Sequence, residues 1–242
     1  METIIVTGAT RGLGLSIVDG LLNQNYKVVG IGRKISSDLS EKLNKNPNAN
    51  NFNFYAFDFN NTEKIKELSK KILKECGIPF GLINNAALGH DGVLGTMHES
   101  QINELLRVNL LAPILFTKYI SRSMLIKNNG RIINISSIIG STGFNGLSVY
   151  GATKAGLNGF TKSLSRELGK ANITVNSIAP GYMETDMTKG LSDDKLSSIL
   201  RRSPMNSLAS LEDVTSSIIF LLGQDAKSIT GSVVTVDAGS TA

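Results

Sequence analysis

Short apolar runs rich in β-branched residues recur along the chain at residues 3–7, 27–32, 52–58, 81–84, 131–136, 174–178 and 232–236, and they predict seven strands. Several place apolar residues at successive positions, as in Ile132-Ile133-Asn134-Ile135, where a half-solvated strand would alternate. Such runs suit strands covered on both faces. Between them, residues 13–25, 62–75, 99–127, 149–170, 193–202 and 211–222 carry apolar side chains at helical spacing, some after a polar capping residue such as Asn61 or Ser210. Strand followed by helix, repeated, predicts an α/β fold: a Rossmann-type doubly wound parallel sheet of about seven strands with helices on both faces. The asparagine-rich residues 44–53 read as a surface loop.

A length of 242 residues suits one large α/β unit, and no Pro/Ser/Gly-rich linker, repeat or shift in composition marks an internal boundary. Residues 1–242 are therefore expected to form a single domain. Within it, residues 183–205 mix Met187, Leu191, Leu196, Ile199 and Leu200 with Gly190 and polar positions. That mixture fits either a small lid over a cleft or a short helix packed on its own domain. The formal charge is +5, but lysines and arginines are interspersed with acids, so no basic stripe for nucleic acid is formed. A modest positive excess favours an anionic cofactor or an acidic carrier protein. Cys76 is the single cysteine, which rules out an intramolecular disulfide, and His90 and His98 lie outside any cluster with metal-ligand spacing, so no metal is expected. The longest apolar candidate, residues 110–116, is broken by Pro113, and the expectation is a soluble cytoplasmic protein with no membrane span.

The first predicted strand runs directly into Thr7-Gly8-Ala9-Thr10-Arg11-Gly12-Leu13-Gly14 and then a helix. Glycines there permit a tight turn and let backbone N–H groups approach a pyrophosphate at the helix N-terminus. The spacing is a variant of the commoner dinucleotide fingerprint. An acidic residue after the second strand would accept from ribose hydroxyls and repel a 2′-phosphate, but the chain has Gly32-Arg33-Lys34. Arg33 offers a planar charged fork to phosphate and Arg11 a second cation, which favours NADP(H). Asp58 is expected to end the third strand, placed to accept from the adenine amino group.

Tyr150 and Lys154 stand four apart at the start of a predicted helix and so share one face. A phenol near an ammonium can ionise more easily, and Ser137 at the end of the fifth strand could hold the same carbonyl oxygen. A lone Tyr-x-x-x-Lys is weak evidence. Here it accompanies the glycine turn, Asn84-Asn85-Ala86-Ala87, Val108-Asn109-Leu110, Ser137 and Pro180-Gly181, in an order and spacing that resemble the short-chain dehydrogenase/reductase family. The resemblance runs from Thr3 to Gly239. It is closest to the 3-oxoacyl-carrier-protein reductase branch, which the stretches at residues 130–137 and 173–187 resemble. It implies that Tyr150 is the general acid, that Lys154 orients the nicotinamide ribose and lowers the Tyr150 pKa, and that Ser137 polarises the carbonyl. It further implies that Asn109 anchors a relay water and that Gly8, Thr10, Arg11, Gly12, Leu13 and Gly14 cradle the cofactor phosphates. Asn85 and Ala86 would line the cofactor floor, with Met183 and Thr185 beyond Pro180 and Gly181 touching nicotinamide and phosphate.

Departures from that branch bear on substrate. Ala87 stands where glycine is usual, Asn206-Ser207 replaces Gly-Arg, and Asn128 and Ala171 occupy positions where related enzymes place basic residues, although Lys127 and Lys170 adjoin them. The expected activity is NADPH-dependent reduction of a carbonyl, with a 3-oxoacyl thioester on acyl carrier protein first. A sugar, polyol or other small carbonyl compound is the alternative, and a cofactor-sensing protein without catalysis the alternative of another class. The small residues Ala152, Ala155, Gly156 and Gly159 permit close helix packing, within the subunit or across an interface, and the resemblance implies a homotetramer.

Overall fold

A computed structural model describes residues 1–183, Ser197 and residues 199–242. Strands β1 (Thr3–Thr7), β2 (Lys27–Gly32), β3 (Phe52–Ala56), β4 (Gly81–Asn84), β5 (Gly130–Ile135), β6 (Ile173–Pro180) and β7 (Val233–Val236) form one sheet in the order β3-β2-β1-β4-β5-β6-β7. Every pairing is parallel. Helices α1 (Gly12–Asn23), α2 (Ser37–Lys45), α3 (Ile65–Cys76), α4 (Glu99–Leu106), α5 (Ala112–Lys127), α6 (Ser148–Leu168) and α7 (Leu211–Leu222) complete the Rossmann-type arrangement.

Successive strand residues feed opposite cores, which explains the unbroken apolar runs. Ile4, Val28, Ile83 and Ile133 pack with Ile17 and Leu21 of α1 and Ile218 and Leu221 of α7. Their neighbours Ile5, Val29, Leu82 and Ile132 pack on the other face with Ile72 of α3, Phe116 and Ile120 of α5 and Leu164 of α6. The strand order reverses between β1 and β4, so the crevice beyond their C-terminal ends is the place where a doubly wound sheet holds its ligand.

Three elements depart from the pattern reading. Helix α2 went unpredicted because it buries only Leu39; what starts it is the Ser36 hydroxyl accepting from Leu39 N at 3.1 Å, with Lys42 and Lys45 in its last turn. The single helix expected over 99–127 is two helices joined by a π-turn at Arg107–Leu111. Pro113 accounts for the break, since it has no N–H to give the carbonyl four residues back, that of Asn109. Strand β3 stops at Ala56, so Asp58 sits in the following turn, its carboxylate accepting from Asn60 N at 2.9 Å. Of the expected helix at 193–202, residues 197, 199 and 200 are helical and 201–202 form a turn; its other positions, and most of the segment 183–205, lie outside the described residues.

Candidate active site

The turn after β1 and the motif after β4 build one structure. Thr7 Oγ1 accepts from the N–H groups of Asn85 and Ala86, both at 2.9 Å, while the Asn85 side-chain amide donates to Thr7 O at 3.0 Å and Gly8 O at 3.2 Å. Gly8 has φ +68°, and a Cβ on Gly14 would lie 1.9 Å from Gly8 O, so both glycines are demanded by the closeness of the turn to the first turn of α1. Arg11 precedes α1 without a side-chain cap, leaving the first N–H groups of a twelve-residue helix open to an anion. Ser36 Oγ donates to Thr10 O, tying the segment after β2 to this cradle. Arg11 and Arg33 are exposed, line the cleft, and form no ion pair with a carboxylate among the described residues.

Beside this cradle, Ser137 lies two residues past the end of β5, not in the strand as expected, where its hydroxyl accepts from Ile139 N at 3.2 Å and caps a short 3-10 turn, and α6 presents Tyr150 and Lys154 to the same cleft. Lys154 is 2% exposed; its Nζ donates to Ile135 O at 2.8 Å and lies 5.5 Å from the Tyr150 ring centre. Burial pushes its pKa down to about 8. The Tyr150 phenol is pushed up to about 12, chiefly by burial; a hydrogen bond with Ser137 pulls downward, and Asp91 and Tyr182 add to the rise. The lowering of Tyr150 expected from Lys154 does not appear: burial raises the phenol, and the group that pulls it down is Ser137, not Lys154.

Asn109 does something the sequence reading did not anticipate. Asn109 itself does not line the cleft; its side chain bonds not its own helix but Leu88 in the loop after β4, Nδ2 donating to Leu88 O at 2.8 Å and Oδ1 accepting from Leu88 N at 2.9 Å. The same loop is held by His90 against Glu104 at 2.7 Å and by Gly92 N donating to Gly146 O at 3.0 Å.

Gly8, Thr10, Arg11, Gly12, Leu13, Gly14, Arg33, Asp58, Asn85, Ala86, Ser137, Tyr150, Lys154, Pro180, Gly181 and Met183 all line the one cleft. Thr185 lies outside the described residues. Phe57, Phe59, Leu88, Glu104 and Val108 also line it and were not foreseen; Glu104 and Val108 are four apart on consecutive helical turns, a spacing visible in sequence but without a chemical signature. Among the described residues no group of three or more His, Cys, Asp or Glu could hold a metal, and no helix is long and apolar enough to cross a membrane.

The sequence matches the short chain dehydrogenase family over residues 2–196. It is 36% identical over 237 residues to the 3-oxoacyl-[acyl-carrier-protein] reductase FabG of Vibrio harveyi, covering 97% of this chain and 95% of that protein. It is also 36% identical over 235 residues to the enzyme of that name from Escherichia coli, with the same coverage. Among solved structures, ElxO with NADP bound superposes with a TM-score of 0.91 at 30% identity and 99% coverage of both chains.

Proposed function

The chain belongs to the short-chain dehydrogenase family, and from that premise we propose that this NADP-dependent oxidoreductase reduces the ketone of a 3-oxoacyl thioester to a hydroxyl. The observation that carries the reading is the cleft itself: Ser137, Tyr150 and the buried Lys154 share it with an uncapped helix N-terminus and two exposed arginines that form no ion pair among the described residues. The Gly8–Gly14 turn and α1 would hold the pyrophosphate, Arg11 and Arg33 the 2′-phosphate, and Asp58 the adenine. When bound, NADPH supplies a hydride. Ser137 and the Tyr150 hydroxyl would hold the substrate oxygen, Tyr150 giving it a proton as negative charge develops. Lys154, charged near neutral pH, would hold the nicotinamide ribose and steady the phenolate left behind. Asn109 would offer a relay water the backbone carbonyl that Pro113 cannot bond.

NADPH oxidation measured against acetoacetyl thioesters, keto-sugars and simple ketones tests the assignment. Turnover of keto-sugars with none of any acetoacetyl thioester would leave only the general reductase. Arg33→Asp is expected to shift the NADPH to NADH ratio of kcat/KM at least about tenfold toward NADH, since a charge-assisted pair is replaced by a repelling charge. An unchanged ratio would show that Arg33 does not read the phosphate.

For the carrier, we place docking at the joined loops before β5 and β6. Asn172 Nδ2 donates to Asn128 O at 3.5 Å there, and Lys127 and Lys170 are both exposed. Lys127→Glu with Lys170→Glu should lower kcat/KM for a carrier-bound substrate several-fold while sparing a small thioester, because rim charges govern encounter more than chemistry. Equal effects on both substrates would remove this surface. The enzyme is further proposed to be cytoplasmic and a homotetramer; Leu106 and Leu111 near α4 and α5, with Ala152, Ala155 and Gly159 on α6, are exposed faces suited to that packing.

A further inference from the structure

The face of the sheet that carries α5 and α6 changes character toward its C-terminal end. Leu82, Ile132 and Val175 belong to the apolar core there, and two residues on along each strand stand Asn84, Asn134 and Ser177, side by side in the register of β4, β5 and β6. Asn84 Nδ2 donates to Thr117 Oγ1 of α5 and to Asn134 Oδ1, Asn134 Nδ2 donates to Thr161 Oγ1 of α6, and Thr161 Oγ1 meets Ser177 Oγ, each at 2.8 Å. None of the five residues is more than 4% exposed, and none lines the cleft. Polar groups this deep cost stability unless each finds a partner, and Asn84 Oδ1 has none among the described residues. A polar row at the centre of the molecule therefore calls for a reason other than stability.

Thr161 supplies it. It stands about three helical turns beyond Tyr150 and about two beyond Lys154, so the three share one face of α6. As α6 runs back along β5, Ser136 Oγ donates to Lys154 O at 3.2 Å and Lys154 Nζ donates to Ile135 O; two turns on, Asn134 holds Thr161. Leu164 and Leu168 of the same helix pack into the apolar core. Apolar contact is non-directional and lets a helix turn or slide where a hydrogen bond does not. We propose that Thr161 and Asn134 are positioning residues: their hydrogen bond fixes the rotation of α6 about its axis and so holds Tyr150 and Lys154 where the reacting carbonyl and the cofactor meet them. The inference rests on the carbonyl-reductase reading for its effect on rate, though not for the placement of Lys154. An ångström of misplacement in an active site can cost about a hundredfold in rate, so even a partial release of α6 is measurable.

The test compares Thr161→Val, which keeps the shape and removes the hydroxyl, with Thr161→Ser, which keeps the hydroxyl. With acetoacetyl N-acetylcysteamine thioester, Thr161→Val should lower kcat at least about tenfold while NADPH affinity changes less than about threefold, since the glycine turn, Arg11 and Arg33 are untouched. Thr161→Ser should stay within about threefold of wild type. Near wild-type kcat in Thr161→Val, or an equal loss in both variants, would overturn the inference. A second measurement needs no substrate. Burial holds Lys154 at about 8, below its ordinary 10.5, so wild-type stability climbs as pH rises from 8. Tyr150, the other titratable group on this face of α6, is pushed up to about 12 and stays protonated meanwhile. An α6 released from Asn134 lets water reach Lys154 and returns it toward 10.5, so the gain in Tm from pH 8 to 9.5 should be smaller in Thr161→Val than in wild type or Thr161→Ser. In a Lys154→Met background, Thr161→Val should leave the pH dependence unchanged. The same gain in all three proteins would overturn the inference. If wild type reduces no carbonyl compound, the reductase reading fails alone and the unfolding comparison still decides the positioning. Thr161→Ala, whose shorter side chain leaves room for water at the Asn134 amide, takes the place of Thr161→Val in both measurements if that variant does not fold.

Discussion

Replacing Tyr150 by phenylalanine is expected to lower kcat at least about a hundredfold, the range for loss of a positioned acid, while NADPH binds with near wild-type affinity. The ring remains to fill its place on α6, and only the hydroxyl that meets the substrate oxygen is lost. With its pKa pushed up to about 12, the phenol stays protonated across the neutral range, which suits a group whose task in reduction is to donate. The loss should therefore appear in kcat at every pH from 6 to 9 rather than as a displaced profile. Single-turnover NADPH oxidation and an independent titration of NADPH fluorescence separate the two effects. A variant turning over at near wild-type rate would remove Tyr150 as the acid, and one that fails to bind NADPH would make it a cofactor contact instead.

The pattern of apolar runs was enough to place every strand of the sheet, because burial on both faces leaves a signal that needs no neighbours to interpret. It was silent where structure rests on polar detail. Helix α2, with Leu39 as its one buried residue, is specified by the Ser36 cap, and the division of 99–127 follows from the N–H that Pro113 lacks. The site was legible where chemistry selects residue type: the glycines, Asn85, Ser137, Tyr150 and Lys154 all reach one cleft. It was illegible where a side chain works through backbone. Thr7 organises Asn85 and Ala86, and Asn109 holds Leu88, through atoms that any segment carries, so only the fold reveals the partner. The Tyr150 pKa was misjudged for a related reason, since spacing reports that a cation is near but not how much water has been removed.

Lys154 is where that removal of water has its largest consequence, and Lys154→Met is expected to make the protein more stable as it makes the enzyme nearly inactive. An ammonium 2% exposed, with its pKa pushed from 10.5 to about 8 by burial, destabilises the folded state by about 3 kcal/mol at pH 7. Methionine removes that penalty and fills similar volume, at the loss of the 2.8 Å hydrogen bond to Ile135 O, about 1 kcal/mol. A net gain of about 2 kcal/mol corresponds to a rise in Tm of roughly 4–8 °C for a chain this long. The sign with pH follows from proton counts. Between pH 8 and 10.5 the unfolded lysine is protonated and the folded one is not, so wild-type stability climbs through that window. The advantage of Lys154→Met should therefore be full below pH 8 and shrink toward pH 10.5. Activity should move the other way. Without the ammonium, kcat/KM falls at least about a hundredfold and NADPH binds more weakly, because charge stabilisation and ribose contact go together. In wild type the same titration should make kcat decline as pH rises past about 8. Thermal unfolding at pH 7 and pH 10 beside a kcat profile decides it: a methionine variant no more stable than wild type at pH 7 would mean that Lys154 carries no uncompensated charge in the fold, and that its burial is not a stability sacrificed for the reaction.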